Sequence, residues 1–348
     1  MRLLRVLLAA LLLAGTAALT WSARGPVAAT PAAISPAEPA RSAHTGRGTP
    51  VGLRGLPGQT SRHWPAATFR PGAPGTVRVV QVRPRRPVAE LLFVHGHADR
   101  ADNHRELFAA WVAAGIQVTA VDLPSHGLTR TSSIDAWNAA DLARLLAGLD
   151  RLTGHPGRPL LLAGWSYGGL QVARMLQDPA LGAALPRRPA AALLLTPAVA
   201  PRPFVGGDGT ARLSSLTHRA DPPVAGPPAP ANPLSTPVFA GRLLVDAWQA
   251  RHDRLPAGTP VLVVTSGAGQ DRYVDPAATE AWVADQRTGG APVTLVRCPG
   301  ARHALDLEPW PVGPAVRTAT VRFLASTVPG IRAPDLADQR QEAACPVG

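Results

Sequence analysis

Leu160-Leu161-Leu162-Ala163-Gly164-Trp165-Ser166-Tyr167-Gly168-Gly169 is the stretch on which the reading of this chain turns. Its first four residues are uniformly apolar, as in a short central strand buried on both faces of a parallel sheet. Its end is a serine bracketed by glycines, and residues 170–177 then take up helical spacing. A sharp strand-to-helix bend forces the serine into a strained backbone conformation and lifts its hydroxyl above the sheet edge. The residues two before and two after the serine crowd together in such a bend, so they must be small. Gly164 and Gly168 occupy those two positions. The following helix turns its free N–H groups and positive dipole end towards the same point. Strand before, helix after and a third glycine put this G-x-S-x-G pattern in the context that gives it meaning.

Outward from this bend, strand-like and helical runs alternate. On the N-terminal side, Thr76–Val82 and residues 88–94 read as strands, and 106–114 as a helix closed by Gly115. Ile116–Val121 is a further strand ending at Asp122. Residues 134–152 form one amphipathic helix, with Leu142, Leu145, Leu146 and Leu149 at helical spacing. On the C-terminal side, Ala191–Leu195, 260–265 and 293–296 are strands. Repeated βαβ units predict an α/β domain over 64–330, a mostly parallel, doubly wound sheet with helices on both faces. Residues 197–237 break the rhythm with many Pro and Gly residues. A stretch this long is expected to be a lid or binding insertion, a Pro-rich cap over about 197–255, or else a disordered surface excursion.

A serine hydroxyl is a poor nucleophile until a base takes its proton. The base is expected on the loop after the last strand, where Cys298-Pro299-Gly300-Ala301-Arg302-His303 supplies His303. An acid is expected on the loop after the preceding strand, to hold the imidazole in one tautomer. That loop offers Asp271 and Asp275. Asp271 lies nearer the strand end and is the favoured acid. Asp275 precedes Pro276 and has the character of a helix N-cap. Phe93-Val94-His95-Gly96-His97 ends a predicted strand, and the loop there is expected to supply one oxyanion donor. The backbone N–H groups of His97 and Tyr167 are the expected pair. Trp165 and His95 are expected beside the substrate, although Trp165 can equally pack in the core and His95 can brace the loop.

Three segments resemble the α/β-hydrolase superfamily: the His95-Gly96-His97 loop, Asp122-Leu123-Pro124-Ser125-His126-Gly127, and Gly164-Trp165-Ser166-Tyr167-Gly168-Gly169. The run Gly300-Ala301-Arg302-His303 agrees with them. The resemblance is closest to the branch of monoacylglycerol lipases, lysophospholipases and serine-aminopeptidase-type hydrolases. It implies a serine hydrolase cleaving carboxylic esters or amides through Ser166, Asp271 and His303, with no cofactor and no metal. Trp165 and Tyr167 stand where the lipase branch usually has His and Met, which leaves a small-molecule ester, a lipid ester and a peptide amide open as substrates. Two other classes compete. His95-x-His97-x-Asp99 resembles the start of a zinc-hydrolase motif, but Arg100 would repel the metal there. A non-catalytic binding module on the same scaffold is the second rival.

Of 348 residues, 46% are hydrophobic and 17% charged, which excludes a chain disordered throughout. All 35 basic residues are Arg, and the net charge is +12. The Arg residues are scattered without aromatic interleaving, so the charge is read as a solvated surface and not as a nucleic-acid footprint; weak attraction to an anionic membrane surface is compatible with it. Residues 1–23 have Arg2 and Arg5 before an unbroken apolar or small-residue run, short for a membrane span. They predict an export signal or an N-terminal anchor, followed over 24–63 by a disordered Ala/Pro-rich linker. In an oxidising compartment Cys298 and Cys345 would either pair, tying down the 331–348 tail, or remain two thiols.

Overall fold

The computed structural model describes residues 52–202, 236–333 and 339–348. The expected export signal at 1–23, the linker up to residue 51 and the Pro-rich part of the cap at 203–235 lie outside the described residues.

One eight-stranded sheet organises the domain. Its strands are β1 (Thr60–Pro65), β2 (Thr76–Val82), β3 (Ala89–Val94), β4 (Ile116–Val121), β5 (Leu160–Trp165), β6 (Ala191–Leu195), β7 (Val261–Thr265) and β8 (Val293–Arg297). They run in the order β1-β2-β4-β3-β5-β6-β7-β8. Pairing is antiparallel at β1/β2 and β2/β4 and parallel from β4 to β8. The expected mostly parallel α/β sheet is thus present.

Every residue of β3 to β7 is buried, because helices cover both faces. The two-residue strand period divides β5 between two cores. Leu160 and Leu162 face the core beneath α2 (Ala139–Thr153) and α3 (Tyr167–Gln177). Leu161, Ala163 and Trp165 face the other, closed by α1 (Arg105–Ala113) and, further along the chain, by Val316 and Leu324 of the helix Val312–Thr327. Each fully buried leucine in these layers contributes about 1.5–3 kcal/mol.

Two expectations are corrected. The linker does not reach residue 63: Leu53 and Leu56 are buried and β1 starts at Thr60. β1 is an edge strand whose side chains are almost all exposed, so no hydrophobic alternation announces it. The helix expected over 134–152 starts only at Ala139. Ile134–Ala136 is a separate 3-10 turn, and Asn138 and Asp141 then form a reciprocal capping box. Of the two alternatives for the cysteines, the paired one is present. The helix Gln339–Ala344 leads into a disulfide between Cys298 and Cys345, and Val347 bridges to Val296 of β8.

The helix Pro237–His252 begins with a Thr236 cap and buries Phe239, Leu243, Ala247 and Ala250. The helices that follow α3 are α4 (Pro179–Gly182), α5 (Pro237–His252), α6 (Pro276–Thr288), α7 (Val312–Thr327) and α8 (Gln339–Ala344). Among the described residues no helix is long and apolar enough to cross a membrane.

Candidate active site

Ser166 occupies the bend between β5 and α3 with φ 55° and ψ −118°. A non-glycine residue in this region carries strain of about 1–3 kcal/mol, which persists only where the surroundings over-determine it. Here its N–H donates to Leu195 O at 2.9 Å, and its C=O accepts from Leu170 N and Ala198 N, each at 3.0 Å. The flanking glycines are required by close approach. A Cβ on Gly164 would lie 2.3 Å from Gly168 O, and one on Gly168 would lie 2.1 Å from Val94 O.

His303 arrives from the loop after β8 and Asp271 from the loop after β7. Ser166 Oγ is 2.8 Å from His303 Nε2, and His303 Nδ1 is 2.9 Å from Asp271 Oδ2. Asp271 is buried and fully engaged. Ser266 Oγ donates to Oδ2 at 2.6 Å, while the N–H groups of Tyr273 and Val274 donate to Oδ1 at 2.8 and 2.9 Å. Burial opposes its ionisation, but the His303 imidazole, the Ser266 hydroxyl and the Val274 N–H together hold it below the usual carboxylate range. An ionised Asp271 accepts from Nδ1–H, which leaves Nε2 as the acceptor facing the hydroxyl. Such a line can withdraw a proton from the serine and stabilise the imidazolium that forms. Asp275 is elsewhere: it caps α6, accepting from Ala278 N at 3.2 Å.

The His303 ring is held from several sides. Its backbone carbonyl accepts from Trp165 Nε1 and Thr196 Oγ1, both at 3.0 Å. Its ring centroid lies 5.2 Å from that of Trp165 and 5.0 Å from that of Tyr273. Trp165, expected either beside the substrate or in the core, is buried and braces the His303 backbone. Thr196, Ser266 and Tyr273 were not singled out by sequence reasoning. Their only signal is position, just after β6 and β7, where side chains reach the carboxyl edge of the sheet.

His95 has the contacts of a loop brace, one of its two expected roles. It is fully buried, its Nδ1 donates to Gly96 O at 2.7 Å, and its Nε2 accepts from Leu123 N at 2.9 Å. Both nitrogens are committed to holding the loop against the end of β4. Burial pushes its pKa down, consistent with a neutral ring. That commitment, with Asp99 bonded to His104 and Asn103, means that His95, His97 and Asp99 do not fit a zinc site. Gly96 lies flat against Ser166 and Trp165: a Cβ there would come within 2.7 Å of the indole. The same loop therefore brings the His97 backbone beside the serine, and Tyr167 is the first residue of α3, whose N–H has no acceptor within the helix. Phe239 of α5 stacks on the His97 ring at 4.2 Å and packs edge-on to Tyr167 at 5.0 Å.

A doubly wound sheet with a strained serine elbow, a histidine and an acid on successive loops at its carboxyl edge defines the α/β-hydrolase class. The chain belongs to the Alpha/beta hydrolase family, whose profile matches residues 91–313. Solved structures share the fold at low identity. A lipase in its open form is 18% identical, with TM-score 0.58, over 78% of this chain and 99% of that one. The Paleococcus ferrophilus monoacylglycerol lipase is 16% identical, with TM-score 0.55, over 72% and 99%. A soluble variant of the Saccharomyces cerevisiae monoglyceride lipase, in complex with a substrate analog, is 14% identical, with TM-score 0.57, over 81% and 99%. No curated protein matches the sequence.

Proposed function

We propose that the protein is an exported serine hydrolase that cleaves carboxylic esters, lipid esters among them, through an acyl-enzyme on Ser166. The observation that carries this reading is the unbroken hydrogen-bonded line from Ser166 through His303 to Asp271. The likeness in fold to a lipase, a monoacylglycerol lipase and a monoglyceride lipase supports an ester substrate. The apolar run within residues 1–23 supports export.

His303 takes the proton from Ser166 as its Oγ attacks the ester carbonyl. The oxyanion is received by the N–H groups of His97 and Tyr167, an electrostatic contribution of about 3–4 kcal/mol per donor. His303 then gives its proton to the departing alcohol. Water, deprotonated by the same imidazole, attacks the acyl-serine and releases the carboxylic acid. Asp271 keeps Nδ1 protonated throughout.

The test is turnover of p-nitrophenyl esters of increasing chain length, with an aminoacyl anilide as control, alongside labelling by a fluorophosphonate. Ester turnover and labelling that vanish in Ser166→Ala are expected. Preference for the anilide would move the reading to a peptidase or amidase. No labelling would leave a non-catalytic binding module, and loss of activity on chelation would favour metal chemistry. Export is checked separately by N-terminal sequencing of the mature protein from the culture fluid or envelope.

A further inference from the structure

His104 is fully buried, and each of its ring nitrogens faces a carboxylate. Nε2 lies 2.6 Å from Asp99 Oδ2, and Nδ1 lies 2.7 Å from Asp306 Oδ2. An ionised carboxylate only accepts hydrogen bonds, so both nitrogens carry protons and the ring is an imidazolium. Burial disfavours that charge, but Asp306 and Asp99 outweigh it and push the pKa up to about 10. Asp99 is in turn held down at about 2 against its own burial, chiefly by His104.

The two carboxylates come from separate loops, and both loops belong to the site. Asp99 lies two residues beyond His97, and Asn103 Nδ2 fixes its second oxygen at 2.5 Å. Asp306 lies three residues beyond His303, in the 3-10 turn Leu305–Leu307. Among the described residues no backbone hydrogen bond joins these loops, so side chains must set their spacing. Trp165 stands between the two imidazoles, its ring 5.5 Å from His104 and 5.2 Å from His303. The other charged or titratable groups around the cluster are Arg317 of α7, which donates to Asp306 O at 3.1 Å, and His95 after β3. Phe93 and Phe108 close the remaining sides at 4.7 and 6.3 Å between ring centroids.

No step of the proposed reaction uses this ring. We propose that His104 is a positioning residue, a charged strut under the site that fixes the loop bearing the His97 N–H against the loop bearing His303. A packing role alone would need no charge, since an apolar side chain of similar volume fills a core at least as well as a buried ion pair. The strut rests on the acyl-transfer reading above.

The test is steady-state kinetics on p-nitrophenyl butyrate. Asp306→Asn keeps the volume and removes one carboxylate; kcat is expected to fall about tenfold to a hundredfold, since displacing a reacting group by an ångström costs about that much. KM is expected to hold within about twofold, because ground-state binding is untouched. Phe108→Leu, which disturbs the same pocket without touching a hydrogen bond, is expected to lower Tm and keep kcat. Should Asp306→Asn not fold, Asp99→Asn carries the same test from the other loop. Unchanged kcat in a folded carboxylate variant, or an equal loss in Phe108→Leu, would overturn the strut while leaving the hydrolase reading intact. A wild type that neither turns over the ester nor takes up a fluorophosphonate would overturn both.

Discussion

Ser166 holds a backbone conformation that it would not choose, and three hydrogen bonds to its own N–H and C=O keep it there. The strain is local, and its consequence is a hydroxyl aimed at His303 without a competing donor geometry. The two aspartates of the 266–275 loop make the contrast at this scale. Asp271 has three donors and a histidine partner; Asp275 caps a helix. Asp271→Asn is expected to cost about four orders of magnitude in kcat, because Asn stabilises the wrong tautomer of His303. Asp275→Asn is expected to leave turnover within about twofold, since Asn caps as well as Asp, whereas Asp275→Ala should cost about 0.5–2 kcal/mol of stability without loss of kcat. Ester kinetics and urea melts on the three variants check this; a dead Asp275→Asn beside an active Asp271→Asn would reverse the assignment.

The elements act as carriers of loops. β8 delivers His303, and the disulfide between Cys298 and Cys345 anchors the root of that loop to the last turn of the chain. Opening this bridge frees a link spanning 47 residues, worth at most about 4 kcal/mol by the loop-entropy relation. Thermal melts with and without reductant should therefore show a lower Tm on reduction, with two thiols appearing only in the reduced sample. Equal melting temperatures would mean that α8 and the Val296–Val347 bridge hold the tail unaided. α5 has a comparable role above the sheet. Phe239 touches both residues whose N–H groups are proposed to hold the oxyanion, so Phe239→Ala should lower ester kcat/KM and leave fluorophosphonate labelling of Ser166 measurable.

Among the described residues most buried charges are paired, and this shapes the pH range of stability. At the other end of the sheet, Arg187 bridges Glu90 of β3 and Asp150 of α2, tying strand and helix together where β3 begins. Under the site, Asp99 and Asp271 have folded pKa values below their unfolded ones. Their stabilisation is present above about pH 4 and is lost as pH falls below it. His104 has the opposite sign: its folded value of about 10 exceeds the unfolded one. Its contribution is complete below about pH 6.5 and is lost as pH rises from there through 10. Tm measured against pH should therefore pass through a plateau at mildly acidic pH and decline on both sides. The alkaline decline should flatten in Asp306→Asn, which lowers the folded pKa of His104; an unchanged alkaline limb would assign it to other groups.

The sequence alone determined the parts governed by neighbours in the chain. Short runs rich in apolar and β-branched residues marked β3 to β8, glycines at fixed offsets marked the elbow, and the order of strands told which loops should bring an imidazole and a carboxylate. It could not mark β1, whose stability comes from backbone pairing with β2 and not from buried side chains. It placed the start of α2 too early because hydrophobic period outweighed the Asn138–Asp141 cap. Only the tertiary structure decided that Asp271 meets His303 while Asp275 does not, that Trp165 bonds to the His303 carbonyl and His95 to Leu123 N, and that Asp306 closes on His104 from 202 positions away. The reason is range: period and turn chemistry act within a few residues, whereas hydrogen-bond partners are fixed by packing to fractions of an ångström between segments that no local rule connects.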